Sequence, residues 1–384
     1  MSVISPPDYA LKILKTLEDA GFAAYFVGGC VRDNLLGRRP RDWDTATSAP
    51  PEQILSIFPG SKPTGLKHGT VTVVTGGKHV EVTTFRAEGG YADHRRPDSV
   101  RFISDLTADL SRRDFTINAM ALSRAGELID PFGGQTDLKA RLIRCVGEPE
   151  ARFEEDALRM FRALRFSAQL GFTVEAKTAA AIKRKAHLAA FLAPERICGE
   201  LEKVLLSPNP TVAAEPFSYG LMAHFTSAPG TPDAKQLRHL PNDRLLRWAG
   251  LCEALERGGL ISDTAAFLAA LRLDTYTVRT ADTGVALALS GLPEDGANLK
   301  RLLSAYGTDA VRCAAGQRRA ALSAVLDSGE CWSLDCLAVK GGDLLALGYK
   351  GKALGDALGF LLERVIERPE LNERETLLGM LHDL

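Results

Sequence analysis

Apolar positions in the first third of the chain recur in two rhythms. After Pro6 and Pro7, Leu11, Leu14, Leu17 and Ala20 fall at helical spacing, and Gly21 supplies the stop. Ala23 to Val27 then reads as a strand, Gly28-Gly29 as a turn, and Val31 to Leu36 as a short helix. A basic loop leads to a second predicted strand carrying Asp42 and Asp44. Residues two apart on a strand face the same side, so both carboxylates should project together. Pro50-Pro51-Glu52 opens a short helix through Phe58. Two β-rich runs, Thr70 to Thr75 and His79 to Phe85, flank Gly76-Gly77-Lys78, which is a hairpin signal. Glu81 alternates there with Val80 and Val82. Two readings of Glu81 stay open: a third carboxylate on the face of Asp42 and Asp44, or an exposed strand glutamate.

The pattern then changes. Residues 86 to 110 mix glycines and charges without a period, which indicates a mobile surface loop of functional length. Asp130-Pro-Phe-Gly-Gly134 closes the α/β part, and from about Lys139 onward the chain reads as almost entirely helical. In the run Glu155 to Phe166, the residues Ala157, Phe161 and Leu164 form an apolar stripe that Ala168 continues, so that face is predicted core. Asp156, Arg159 and Arg162 then point away from it, with Arg165 at the border. Pro194 and Glu195 suit a helix start, and Arg196 with Glu200 is expected to form an i,i+4 pair in a supporting element. Pro208 to Lys235 is rich in proline, serine and threonine and reads as a hinge. Amphipathic runs follow around Leu245 to Leu255, Ala265 to Leu273 and Ala310 to Leu326. The expected class is α+β, a mixed sheet with helices followed by an all-α remainder.

Composition narrows this picture by exclusion. The 384 residues are 45% hydrophobic and 25% charged, an ordinary globular balance with room for several domains. A formal net charge of −1 leaves nucleic-acid contacts to local basic patches. Seven cysteines without a C-x-x-C pair read as reduced thiols of a cytoplasmic protein. Cys331 and Cys336 have no matching second pair, so structural zinc is not expected. No transmembrane run or signal-peptide pattern is seen, nor an internal repeat or a His-Asp phosphohydrolase signature.

The candidate chemistry lies in three blocks. Paired carboxylates suit hard cations such as Mg²⁺, which take oxygen ligands beside substrate phosphates. A Gly-Gly turn opening a helix is a phosphate seat, and Arg32 could pair bidentately with a phosphate. Each signal is weak alone. Together, Gly-Gly-x-Val-Arg-Asp, Leu-Leu-Gly and Asp-x-Asp-x-x-Thr47 resemble the signature of the nucleotidyltransferase superfamily. More narrowly they resemble its class II branch, which contains CCA-adding tRNA nucleotidyltransferases and bacterial poly(A) polymerases. Arg112-Arg113-Asp114 to Ala121 resembles a second block of that branch. By that resemblance Arg113 contacts the incoming nucleotide, while Asp114 could be a helix cap or a catalytic group.

The third block, Glu155 to Phe166, resembles the branch's nucleotide-recognition motif. A solvated, salt-bridged helix face is the plainer reading of its charges. Base chemistry offers a sharper one. An aspartate accepts hydrogen bonds and an arginine only donates. Asp156 facing an exocyclic amine and Arg159 facing a ring nitrogen would suit cytosine and adenine, and would mismatch uracil and guanine. Such buried mismatches discriminate by roughly 10⁴ to 10⁵. Arg162 and Arg165 match arginines associated with the nucleotide in that family.

The resemblance implies metal-dependent transfer: an RNA 3′-hydroxyl attacks the α-phosphate of CTP or ATP, and pyrophosphate leaves. Asp42 and Asp44, with Glu81 as the possible third carboxylate, would be catalytic. The two aspartates would hold two Mg²⁺ ions, one activating the hydroxyl and one stabilising the leaving oxygens. Gly29 and Arg32 would hold triphosphate oxygens. It further implies a nucleotidyltransferase head over 1–138, a helical neck with base recognition over 139–207, and a helical body and tail over 208–384 that binds tRNA lacking its 3′ CCA. Lys340 to Gly348 and Gly355 to Arg368 resemble that tail, and Tyr91 to Val100 resembles the CCA-adding form of its loop. No membrane or protein partner is expected. Poly(A) polymerase activity, addition of only CC or only A, a non-catalytic RNA-binding role, and nucleotide transfer to a protein or small molecule are the alternatives.

Overall fold

The alternating N-terminal third builds a seven-stranded mixed sheet. In the computed structural model, which describes residues 5–89, 99–316 and 319–381, the sheet belongs to the first of two compact units, Met1–His224 and Phe225–Leu384. Helix α1 (Asp8–Asp19) buries Ile13, Leu14 and Leu17 and leads into β1 (Ala24–Val27). Then come α2 (Gly29–Leu35), β2 (Thr45–Thr47), α3 (Pro51–Ile57), β3 (Lys62–Gly65), β4 (Thr70–Thr75) and β5 (Lys78–Thr84). With β8 (Ala121–Leu122) and β9 (Leu128–Ile129), the strand order is β3-β4-β5-β2-β1-β8-β9. β1 is antiparallel to β2 and β8, whereas β2 and β5 run parallel. The β4–β5 hairpin closes at Thr75 and Lys78. Gly76 (φ 54°) and Gly77 (φ 71°) occupy the left-handed region that a two-residue hairpin loop demands.

Three expectations about this unit are corrected. β2 starts at Thr45, so Asp42 and Asp44 precede the strand instead of lying on it. β1 ends at Val27, whose N–H already donates to the Asp44 carbonyl (3.0 Å), and the chain then turns at Gly28, leaving Asp42 no ladder partner. The alternation survives nonetheless. Trp43 is buried edge-on against Phe26 (centroids 4.9 Å apart), while Asp42 is exposed and Asp44 half-buried. Second, 86–110 is not simply a loop. β6 (Arg86–Gly89) and β7 (Ser99–Phe102) pair antiparallel, and α4 (Leu106–Ser111) is capped by Asp105. Main-chain pairing needs no apolar period, and here Asp109 anchors it by accepting from the Arg86 N–H (3.2 Å). Tyr91 to Asp98, the core of the loop singled out in the sequence, lies outside the described residues. Third, the helical remainder contains one parallel strand pair, β10 (Leu142–Ile143) with β11 (Thr173–Val174), after α5 (Gly134–Ala140).

The run from Glu155 is broken as well. α6 (Pro149–Glu155) stops, Asp156 is extended (φ −143°, ψ 103°), and α7 (Leu158–Leu170) begins afresh. The Asp156 carboxylate accepts from the Leu158 N–H (3.1 Å), a local bond that competes with helix. The predicted stripe holds: Ala157, Phe161, Leu164 and Ala168 are all buried. α8 (Ala176–Lys185), α9 (Pro194–Leu205) and α10 (Glu215–Ser218) complete the unit, with α7 packed on α9. That packing overrides the expected Arg196–Glu200 pair. Arg196 reaches Asp156 instead, and Glu200 meets Arg165 and Lys203.

The second unit contains α11 (Arg244–Arg257), α12 (Thr264–Ala270), α13 (Thr275–Ser290), α14 (Gly296–Ala315), α15 (Arg319–Asp327), α16 (Gly341–Ala346), α17 (Lys352–Glu367) and α18 (Arg374–Met380). Asp243, Asp263, Asp274 and Asp295 cap α11 to α14 by accepting early helix N–H groups. α14 kinks at Gly307 (φ 78°). Leu299, Leu303 and Val311 share one core with Leu322 of α15, and Leu344, Leu361, Val365 and Leu377 share another. No described helix is long and apolar enough to cross a membrane.

Candidate active site

A cavity of about 890 Å³ opens in the first unit, walled by the start of α2, the chain before β2, the turn before β4, the 112–118 segment, α7 and α9. Eight arginines line it (32, 86, 112, 113, 159, 162, 165 and 196) against three aspartates (44, 114 and 156). This surplus of cation is local, in a chain that is nearly neutral overall.

At one end Gly28 has φ 75°, and a Cβ built there would lie 3.1 Å from Arg113 Nη1. The positive φ favours glycine there, and a Cβ would also press on the Arg113 guanidinium. Gly29 follows with Arg32 one turn on. Arg32 is buried and oriented: Nη1 donates to Asn118 Oδ1 (2.8 Å), Nε donates to Asp33 Oδ1 (2.9 Å), and the guanidinium lies over Phe166 (5.2 Å). The guanidiniums of Arg162 (5.5 Å) and Arg165 (4.1 Å) also lie over that ring, so Phe166 organises three cations.

Asp44 stands beside this turn, its carbonyl accepting from the Val27 N–H (3.0 Å). Burial, then the charges of Glu81 and Asp42, push its carboxyl up to about 6 against the pull of Arg113. The neighbourhood of Glu81 follows from the sheet. Thr45 of β2 is in register with Val82 of the parallel β5, so the preceding residues are Asp44 and Glu81. Asp42 and Glu81 are exposed and are not among the cavity walls. No three described carboxylate, imidazole or thiol groups converge tightly enough to hold an ion unaided. The donor set still suits a hard cation, because all three groups are carboxylates whose mutual repulsion a divalent ion would relieve.

The other wall is a chain of ion pairs between helices. Burial disfavours the charge on Asp114, but Arg162, Asn118 and the Phe115 N–H outweigh it and hold the carboxyl down at about 2. Arg162 Nε donates to Asp114 Oδ2 at 2.8 Å. Asp114 is thus the seat of Arg162 and caps no α-helix. Arg159 is buried, donates to the carbonyls of Arg152 (3.0 Å) and Arg112 (2.9 Å), and pairs with Glu155. Arg165 Nε lies 2.6 Å from Glu200 Oε2 but off the line of a hydrogen bond. Arg196 Nη2 donates to Asp156, while its Nη1 is buried without a partner.

The structure therefore brings Gly29, Arg32, Asp44, Arg113, Asp156, Arg159, Arg162 and Arg165 to one cavity and leaves Asp42 and Glu81 beside Asp44, outside the walls. Sequence reasoning missed Asn118, Phe166, Arg112 and Arg196 as site residues. The first three lie in the quoted blocks, where their types gave the only signal. Arg196 was hidden by its i,i+4 spacing to Glu200.

The chain is similar to known proteins along nearly its whole length. The pattern of the "Poly A polymerase head domain" matches residues 24–144, and that of the "Probable RNA and SrmB- binding site of polymerase A" matches 171–231. The chain is 39% identical to the CCA-adding enzyme of Geobacillus kaustophilus, covering 98% of this chain and 97% of that protein. It is 40% identical to that of Limosilactobacillus fermentum, covering 96% and 95%. The fold matches the crystal structure of the Bacillus stearothermophilus CCA-adding enzyme in complex with CTP, with TM-score 0.80, 36% identity and 99% of each chain covered.

Proposed function

The chain belongs to the family of CCA-adding tRNA nucleotidyltransferases, and from that membership we propose how its cavity carries out the reaction. The enzyme adds C, C and A in turn to the 3′ end of tRNA from CTP and ATP, without a nucleic-acid template, and releases pyrophosphate. The observation that carries the reading of the site is that eight arginines share one cavity with an acidic corner at Asp44. A nucleoside triphosphate needs cations along its phosphates and a carboxylate-held divalent ion at the reacting phosphorus.

Gly29 leaves room for the triphosphate to approach the backbone, and Arg32 and Arg113 neutralise its oxygens. Asp42 and Asp44 would hold Mg²⁺, which when bound supplies activation of the RNA hydroxyl and stabilisation of the departing oxygens. Glu81 adds negative charge beside Asp44 and makes ion binding there more favourable. Asp156 accepts from the exocyclic amine of C or A, and Arg159 donates to the neighbouring ring nitrogen. Arg162 and Arg165, fixed over Phe166, hold the nucleotide from the side. Residues 1–138 act as the catalytic head, 139–207 as the neck that reads the base, and 208–384 as the body and tail that hold tRNA. The seven free cysteines suit a cytoplasmic protein.

The test is to sequence the products made on tRNA lacking its 3′ end with all four nucleoside triphosphates present. Two cytidylates, one adenylate and then arrest are expected, with unstructured RNA a poor substrate. Long adenylate tails on unstructured RNA, with no cytidylate on tRNA, would establish a poly(A) polymerase. Arrest after CC, or use of ATP alone on tRNA-CC, would establish a partial enzyme.

A further inference from the structure

Two cysteines of the second unit stand apart from the rest. Cys30, Cys145, Cys252 and Cys313 are buried, and burial raises their thiols. Cys331 and Cys336 instead face each other across the short turn Ser333 to Leu337, with their sulfurs 2.6 Å apart. The two sulfurs differ in setting. Cys331 is 4% exposed and belongs to the core of Leu361 and Leu377, whereas Cys336 is exposed.

The turn is also built to hold charge on the outer sulfur. The main-chain N–H groups of Trp332 and Ser333 both point at Cys336 Sγ (3.2 Å each), and the Ser333 hydroxyl lies 3.5 Å away. Burial works against a Cys336 thiolate, yet the Cys331 thiol, Ser333 and these amides lower its pKa. Burial, then Cys336, pushes Cys331 up to about 12. The turn is tied to neighbouring chain through Asn372, which donates to the Cys336 carbonyl (3.0 Å) and accepts from the Ala338 N–H (2.8 Å). No third metal-ligating group joins the pair among the described residues, which leaves redox chemistry rather than zinc.

We propose that Cys331 and Cys336 form a reversible disulfide with small-molecule disulfides as oxidant, Cys336 attacking and Cys331 resolving. Cys336 gives its proton to solvent and its thiolate attacks one sulfur of the oxidant RSSR; the S–S bond breaks, one RS⁻ leaves and takes up a proton from solvent, and a mixed disulfide stands on Cys336. That step removes the negative neighbour that helped to raise Cys331. Cys331 then attacks the Cys336 sulfur, its proton passes to the departing RS⁻, and the protein disulfide forms. In balance, two cysteine thiols are oxidised and RSSR is reduced to two RSH. The exposed thiol meets the oxidant and the buried one displaces it, the order that thiolate character and access require.

The native full-length protein is equilibrated in glutathione buffers of increasing oxidised fraction, quenched with acid, alkylated and mapped by mass spectrometry. The expected result is joint loss of two free thiols, one peptide linking Cys331 to Cys336, and complete reversal by dithiothreitol. Cys336→Ser, at the exposed position, should lose this reaction under the same conditions. Cys331→Ala, checked for native circular dichroism, should trap glutathione on Cys336. A wild-type protein that carries glutathione on Cys336 without the link overturns the proposal. So does a Cys336→Ser variant that loses thiols as the wild type does.

Discussion

Arg196 Nη2 lies 3.0 Å from Asp156 Oδ2, across 40 positions of sequence, and joins α9 to the break between α6 and α7. One carboxylate oxygen of Asp156 also accepts from the Leu158 N–H, so the residue that would accept from the base is held by both its neighbours. The side chains are about one-fifth exposed, where an ion pair is worth only about 1 kcal/mol. Its weight is in orientation.

Arg196→Ala is therefore expected to leave the fold intact and to relax discrimination against UTP and GTP at least tenfold, roughly the size of one lost polar contact. Asp156→Ala should relax it further, and the double variant should be no worse than Asp156→Ala. Single-nucleotide incorporation with each triphosphate separately reads this out. Full selectivity in both single variants would reduce the helix face to a solvated one.

Asp42→Asn or Asp44→Asn should each abolish incorporation of both CMP and AMP, by about 10³-fold or more, since each neutralises a carboxylate proposed to hold the metal. Circular dichroism should stay native. Near-normal magnesium-dependent activity in either folded variant rules out the assignment.

The acidic corner also makes a stability prediction. The Asp44 carboxyl is raised to about 6, above its value in the unfolded chain, so its ionisation is disfavoured by folding. Without divalent metal, stability should rise as pH falls through about 6 toward about 4, and Asp44→Asn should be more stable than wild type at neutral pH by on the order of 2 kcal/mol. Adding Mg²⁺ at neutral pH should raise the melting temperature of the wild type and not that of the variant. Equal shifts in both proteins would place the ion elsewhere.

Asp114 behaves in the opposite sense. Its carboxyl is held at about 2, so the stability it contributes is complete above about pH 4 and lost as pH falls toward 2. Arg162→Ala should strand that buried carboxylate and cost about 2 kcal/mol at pH 7, since solvent screens the partly exposed arginine. Adding Asp114→Asn should restore most of the loss. Denaturant titrations of the three variants measure both effects, and additive losses in the double variant would mean that the two groups act independently.

Local rules decided much of this protein. The hairpin at Gly76-Gly77 was legible because a two-residue loop with positive φ needs glycine and the flanking strands alternate. The buried stripe of α7 was legible because a helix repeats every 3.6 residues whatever it packs against. The grouping of Gly29, Arg32, Arg113 and the α7 charges could be anticipated from motif blocks, since their residue types already match phosphate and base chemistry.

Tertiary structure decided the partners. Sequence offered Arg196 a glutamate one turn away, yet the α7–α9 packing gave it Asp156 and gave Glu200 to Arg165. Parallel pairing of β2 with β5, which no local pattern encodes, set Glu81 beside Asp44. The break at Asp156 arises where a side-chain bond to the backbone and a distant arginine together outweigh helix propensity. Period and composition report which face of an element is buried. They carry no distance between elements, and the charges of this cavity find their partners across such distances.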